Sequence, residues 1–188
     1  MKKLLIVAVL SGFCFFNNLL SMQRDSEFEK VLAAVKDDFF NAVKIGDAQR
    51  VCAILATGDE GKNLAVVVNA TDKEGNTGLI LAAKTSHVDC VQLLLNHRSS
   101  VSGFYDVHVN HVNNKGESAL LWAVANHNQE ISKLLLDARE EFMFLRLNLK
   151  SLRTAEALAI ERGFFDMSVQ LTPAIKEVLQ DAERAKRC

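Results

Sequence analysis

The sequence predicts an all-α solenoid of about four stacked helix–turn–helix units, and three observations carry that expectation. Val68-Asn69-Ala70-Thr71-Asp72-Lys73-Glu74-Gly75-Asn76-Thr77 returns in altered form 41 positions later as Val109-Asn110-His111-Val112-Asn113-Asn114-Lys115-Gly116-Glu117-Ser118. The same apolar pattern follows each copy: Leu79, Leu81, Ala82 and Ala83 correspond to Leu120, Trp122, Ala123 and Val124, and Leu93-Leu94-Leu95 to Leu134-Leu135-Leu136. Weaker copies lie on either side. Repetition at this period marks a stack of small units, none of which buries its apolar face alone.

At the front, Lys2 and Lys3 precede an apolar run from Leu4 to Phe16. A basic start followed by a short apolar run reads as a secretory signal peptide over residues 1–21, with cleavage expected after Ser21. An uncleaved anchor and a buried helix are the alternative readings. The run is short for a membrane span, which needs about 20 residues, so no stable span is expected after cleavage. Phe13 is too bulky for the residue before a lipidated Cys14. Next, Ser26-Glu27-Phe28-Glu29 has the form of a capping box. A helix with Phe28, Val31, Leu32, Val35 and Phe39 on one face should follow it.

The strong units explain themselves locally. Asp72-Lys73-Glu74-Gly75 is a turn, because Asp bonds its own backbone and Gly tolerates positive φ. Thr77 and Ser118 then stand where a helix N-cap belongs. Each first helix should run about ten residues and carries Ala82 and Ala83, or Ala123 and Ala125, so that neighbours approach closely. Polar breaks follow at Thr85-Ser86-His87 and Asn126-His127-Asn128. The second helices carry Val88, Val91, Leu94 and Leu95, then Ile131, Leu134 and Leu135, an amphipathic stripe.

These two units resemble ankyrin repeats, whose pattern runs Asp-x-x-Gly-x-Thr-Pro-Leu-His-x-Ala-Ala, then Gly-His, then Ile-Val-x-Leu-Leu-Leu. Residues 68–95 and 109–136 carry the match. The family's Pro is Gly78 and Ala119 here, and its His is Ile80 and Leu121. The resemblance implies that this His, where present, ties adjacent turns together. It also implies that the turn residues and the positions the pattern leaves free line a concave recognition surface.

The flanking units are degenerate. Upstream, Ala42 stands 40 positions before Ala82, and Arg50 occupies a site where the pattern wants an apolar residue, as suits a terminal unit. Downstream, Thr154 to Gly163 is in register with a Thr cap expected at Thr154, but Lys150-Ser151-Leu152-Arg153 has lost its Gly. Thr172-Pro173 reads as an N-cap and first helical residue opening a last helix. The expected organisation is therefore residues 1–21 as signal peptide and 22–188 as an ankyrin-repeat domain. Its units would lie at 35–67, 68–108, 109–146 and 147–180, with degenerate caps at each end. Unit intervals of 40, 41 and 36 exceed the usual spacing of about 33. They place insertions at 58–63, 99–108 and 139–145, on one side of the stack. The second of these holds Ser99 to Tyr105, with the chain's one Tyr.

The net charge is −1, moving to −3 on loss of Lys2 and Lys3, and no basic block argues for nucleic acid. Cys90 is expected to be a buried small hydrophobe. Cys52 shows no disulfide spacing with it, and Cys188 is a candidate free thiol or intermolecular link. No phosphate loop, His-Glu-x-x-His or Cys-x-x-Cys appears, so no catalytic residue, metal site or cofactor is expected. His108-Val109-Asn110-His111 is read as a solvated loop, and Trp122, at the position of Leu81, as core. The preferred functional reading is an exported protein, periplasmic or secreted and monomeric, that binds another protein and is not an enzyme. Its contacts are expected from Lys73, Glu74, Asn76, Lys84, Thr85, Asn114, Lys115, Glu117 and Asn126. Host-directed action as an effector is what the combination of signal and repeats resembles. A self-assembling envelope protein and an enzyme's regulatory subunit stay open as alternatives.

Overall fold

The computed structural model describes residues 30, 32–57, 67–96, 107–141 and 149–185. The signal peptide, the capping box, most of each insertion, Cys14 and Cys188 lie outside the described residues. The chain divides into two compact units, residues 1–38 and 39–188. In the first, residues 32–38 are helical.

Among the described residues the second unit holds four helix pairs. They are α1 (residues 39–45) with α2 (Ala48–Thr57), α3 (Gly78–Lys84) with α4 (Val88–Asn96), α5 (Ala119–Ala125) with α6 (Gln129–Glu141), and α7 (Leu149–Glu161) with α8 (Phe165–Ala185). First helices stack on first helices, α3 on α5 and α5 on α7, while second helices stack as α2, α4, α6 and α8. Ala42, Ala82, Ala123 and Ala159 occupy equivalent sites and are all buried, because close approach of the first helices leaves no room for more than a methyl group. The inner first helices are seven residues long, shorter than the sequence suggested. Thr77 caps α3 by accepting from Ile80 N–H, and Ser118 caps α5 by accepting from Leu121 N–H.

Between each first and second helix the chain turns through the left-handed region. Gly46, Ser86, His127 and Gly163 occupy the same step of the four units, with φ of 77°, 61°, 53° and 74°. Only the outer two use glycine, so the well-formed inner units carry strain there that the terminal ones avoid. Asp47 and Asn128 then cap the following helices, accepting from Arg50 N–H and Ile131 N–H.

Gly78 replaces the family's Pro for a packing reason. A Cβ there would lie 2.6 Å from Cε1 of Phe39, whose ring is fully buried against it. Arg50 is exposed, whereas Cys90, Ile131 and Met167 at the equivalent sites are 0% exposed, each with a preceding pair stacked on its own. At the other end, Glu156 stands where Leu79 and Leu120 are buried, and its carboxylate accepts from Thr172 Oγ1 at 3.2 Å. Ile160, Phe165 and Val169 are exposed on the same last pair.

The last pair corrects two expectations. Thr154 lies inside α7, donating to the carbonyls of Lys150 and Ser151, and does not cap it. With the turn glycine lost, α7 begins earlier, at Leu149, and buries Leu152 and Ala155. Thr172-Pro173 lies within α8, which starts at Phe165. The stripe Met167, Leu171, Ala174 and Ile175 is buried across the proline, so packing holds the helix where Pro173 removes one backbone donor. Thr172 Oγ1 also donates to the Ser168 carbonyl.

Candidate functional site

Among the described residues two turns lie between helix pairs, tip 1 at residues 72–76 and tip 2 at residues 113–117, each closed by an isolated antiparallel bridge, Thr71 with Thr77 and Val112 with Ser118. In tip 1 the Asp72 carboxylate accepts from Glu74 N–H, Asn76 N–H and the Asn76 amide, and Gly75 N–H donates to Asp72 O. Burial works against ionisation of Asp72, but the Asn76 side chain and the backbone donors of Asn76 and Glu74, with Lys44 nearby, hold its carboxyl below the ordinary value. Tip 2 repeats the design with Asn113, whose Oδ1 accepts from Lys115 N–H and Glu117 N–H.

The tips are also tied to each other. Asn114 N–H donates to Glu74 O, Asn114 Nδ2 to Lys73 O, and Asn113 Nδ2 to Asn76 Oδ1 at 2.9 Å. His111 Nε2 lies 3.0 Å from Gly75 O, and since a carbonyl only accepts, the proton is on Nε2. The tie that Ile80 and Leu121 cannot make is thus supplied by a different histidine. In His108-Val109-Asn110-His111, His108 is exposed and its backbone N–H donates to Asn69 Oδ1. Among the described residues, no cluster of three or more His, Cys, Asp or Glu converges as a metal site requires.

A second set of ties closes the first helices. His87 Nε2 donates to Lys44 O, Asn126 Nδ2 to Lys84 O and Ala83 O, and Arg162 to Ala125 O. Each unit therefore satisfies orphan carbonyls of the one before it. At the last junction His127 stacks on Phe164, 4.0 Å between ring centres, and contacts Asp166, which also accepts from Gln129 Nε2. Some burial disfavours the Asp166 carboxylate, but the His127 contact and the Met167 N–H hold its carboxyl below the ordinary value.

Against this frame the nine expected contact residues divide. Lys73, Glu74, Asn114 and Lys115 are exposed on the tips, and Thr85 is exposed at the end of α3. Lys84 is half-exposed. Asn76 is fully buried and its side chain is consumed by Asp72, Glu74 and Asn113, so it leaves the contact set. Asn126 is exposed, but its amide is committed to Ala83, Lys84 and Ser86. Glu117 is half-buried and accepts from Asn113 Nδ2 at 2.8 Å. Asn114 does both jobs, exposed and yet bonded to tip 1.

Sequence reasoning missed Trp122. It was read as core from its match to Leu81, which is 4% exposed, but the larger indole reaches the surface and is only half-buried. Lys84 Nζ sits 4.9 Å from the ring centre, and the same ammonium is 3.8 Å from Glu74 Oε2. Glu74, Lys84 and Trp122 thus join tip 1 to the first-helix face in one polar–aromatic patch. The signal available was Lys84 itself, one repeat back from Ala125 and one turn from Leu81, beside an oversized residue. Cys90 is fully buried, and burial with the Asp89 and Asp47 carboxylates nearby pushes its thiol up, whereas Cys52 is exposed.

Comparison with known proteins agrees with this architecture. A family model described as ankyrin repeats (3 copies) matches residues 39–144. The chain is 36% identical over 102 residues to ankyrin repeat and SAM domain-containing protein 6 of Mus musculus, and 35% identical over 102 residues to the Rattus norvegicus protein of that name. That stretch is 54% of this chain but 10% of each relative. The family model ends before α7, so the fourth pair is recognised from the stacking of helices and not from the repeat pattern. Stacked helix pairs, tips of the form Asp- or Asn-x-x-Gly and the family model together show that the chain belongs to the ankyrin repeat family.

Proposed function

We propose that this chain is an exported, non-catalytic scaffold that binds a partner protein through its tips and the adjoining first-helix face. Ankyrin repeats are in general protein-interaction modules, and this chain carries them over residues 39–144. The observation that favours the proposed surface is a division of labour. The amides of Asn76 and Asn126 are bonded within the fold, while Lys73 and Lys115 stand exposed on the tips, with Glu74, Lys84 and Trp122 joined in one patch alongside. Trp is among the residues most enriched where the binding energy of interfaces concentrates. The mixed charge suits a polar partner surface. Export rests on Lys2, Lys3 and the apolar run from Leu4 to Phe16, and among the described residues no helix is long and apolar enough to cross a membrane.

Crosslinking in the native cell tests the binding reading. The wild-type chain should capture a defined protein, and the Lys73→Ala/Glu74→Ala/Lys115→Ala variant should not, with both present at equal levels. Equal capture by both would remove the tips from the interface. N-terminal sequencing tests export: the mature protein should begin near Met22, and intact Met1 in a soluble cytoplasmic fraction would refute it.

A further inference from the structure

The tips carry both signs of charge, but the two signs are bonded differently. In tip 1 the Asp72 carboxylate accepts from the Asn76 amide and from the backbone N–H groups of Glu74 and Asn76. Glu74 Oε2 also accepts from Asn76 Nδ2, at 3.2 Å. In tip 2 a Glu117 oxygen accepts from Asn113 Nδ2 at 2.8 Å. Every carboxylate of the two tips is therefore hydrogen-bonded within its own tip. The lysines are not. Lys73 and Lys115 are exposed, and among the described residues neither ammonium makes a hydrogen bond or ion pair.

The first helices extend the same sign. Lys44, Lys84, Ala125 and Glu161 each stand two residues after the buried alanines Ala42, Ala82, Ala123 and Ala159, so they occupy one step of the four units. Along the stack that step runs from cation to anion. Its two lysines adjoin tip 1. Burial opposes ionisation of Asp72, and Lys44 is among the groups that favour it. Lys84 Nζ lies 3.8 Å from Glu74 Oε2, a contact open to solvent, and 4.9 Å from the Trp122 ring centre. At the fourth unit the exposed Glu161 reverses the sign, while Arg162 is turned to the Ala125 carbonyl. The two tips touch through Asn114 Nδ2 and Lys73 O, so Lys44, Lys73, Lys84 and Lys115 belong to one neighbourhood with Trp122. In a chain of net charge −1 this concentration of available cations is not a by-product of overall basicity.

We infer that this patch binds an acidic segment of the partner protein, its carboxylates on Lys44, Lys73, Lys84 and Lys115 and an apolar side chain against Trp122. The inference rests on the proposed partner-binding reading and adds the charge of what is bound. Surface charge that is unpaired before binding is what complementary charge on a partner meets, and it governs both encounter and choice of partner. Glu161 sets the direction, because an acidic stretch reaching the fourth unit would meet like charge. A polyphosphate fits less well. Glu74 and Glu117 stand among the lysines, where a continuous line of phosphates would be repelled, and the patch offers no free Arg fork to grip a phosphate.

Four probes are titrated into the isotopically labelled full chain at low salt: a blocked peptide alternating Asp and Leu, its Lys-Leu counterpart, an oligothymidylate, and vesicles of phosphatidylcholine with phosphatidylserine. The amide resonances of Lys44, Lys73, Lys84 and Lys115 and the Trp122 indole N–H should shift saturably with the Asp-Leu peptide, and added salt should weaken it. Lys44→Glu/Lys84→Glu should bind that peptide about tenfold more weakly or worse. Lys44→Arg/Lys84→Arg, which keeps the charge, should bind it as the wild-type chain does. No saturable shift with the Asp-Leu peptide, an equal response to the Lys-Leu peptide, tighter binding of the oligothymidylate or the vesicles, or full affinity in the charge-reversed chain would each overturn the inference. If the Asp-Leu peptide fails while the Lys73→Ala/Glu74→Ala/Lys115→Ala variant still loses its captured partner, partner binding stands and only the acidic chemistry falls.

Discussion

Asn126 Nδ2 lies 2.9 Å from the carbonyl oxygen of Lys84, so the end of α3 is closed by a side chain from the next unit. Helix carbonyls left open at a C-terminus need a partner, and here the stack itself supplies it. The same relation joins His87 to Lys44 and Arg162 to Ala125, which makes the break between helices a coupling element.

Asn126→Ala should therefore destabilise the fold by about 1–2 kcal/mol, the usual cost of stripping partly buried carbonyls of their donor. Thr85→Ala at the equivalent position of the preceding unit should cost less, because Thr85 Oγ1 donates back to Leu81 O in its own helix. Denaturant titration of the two variants checks the order.

Gly75 and Gly116 share φ of 79°, yet they should respond differently to alanine. Both substitutions incur about 1–2 kcal/mol for the left-handed conformation. Only Gly75→Ala also drives a methyl group into Asn114, loosening the contact between tips. The melting temperature of Gly75→Ala should fall clearly below that of Gly116→Ala.

The repeated turns, their caps and the buried alanines were legible because each is fixed by a local rule: Asp with Gly, Thr or Ser before an apolar run, and small residues at a constant interval. The last pair was not. Thr154 and Thr172-Pro173 have the look of helix starts, and only the buried stripe from Met167 to Ile175 shows that packing overrides both signals. Exposure was legible where a long charged side chain stands on a tip, as at Lys73 and Lys115. The bonding of a short amide within the fold was not legible. Asn76 and Asn126 are spent on neighbours 37 and 42 positions away, which no local pattern reveals.

Asp72 makes the tips sensitive to acid. Its carboxyl is held below the ordinary value in the folded chain, so its contribution is present at neutral pH and is lost as pH falls below about 4 through the folded value. Asp72→Asn should flatten that part of the stability profile. Asn113 shows that an amide supports the same turn, so the loss at neutral pH should stay near 1 kcal/mol. Melting temperatures between about pH 2.5 and 6 distinguish the two chains.

Ser132 is 1% exposed and its hydroxyl has no partner among the described residues, whereas Val51 and Val91 fill the equivalent sites at 0% exposure. Ser132→Val should raise stability by about 1 kcal/mol by removing an unpaired buried hydroxyl. A fall in the denaturation midpoint would show that the site is too tight for the methyl groups.

The central claim is that binding is carried by the charged side chains that stand exposed on the tips. Once the captured partner is purified, titration calorimetry with the Lys73→Ala/Glu74→Ala/Lys115→Ala chain, run beside a melting curve of the same sample, tests it most directly. Affinity should drop at least about 30-fold, more than about 2 kcal/mol. The melting temperature should hold nearly unchanged, since each surface substitution shifts stability by no more than about 0.5 kcal/mol. Full affinity in this variant, with binding abolished instead by changes in Ser99 to Tyr105, would contradict the account and move recognition to the inserted loop.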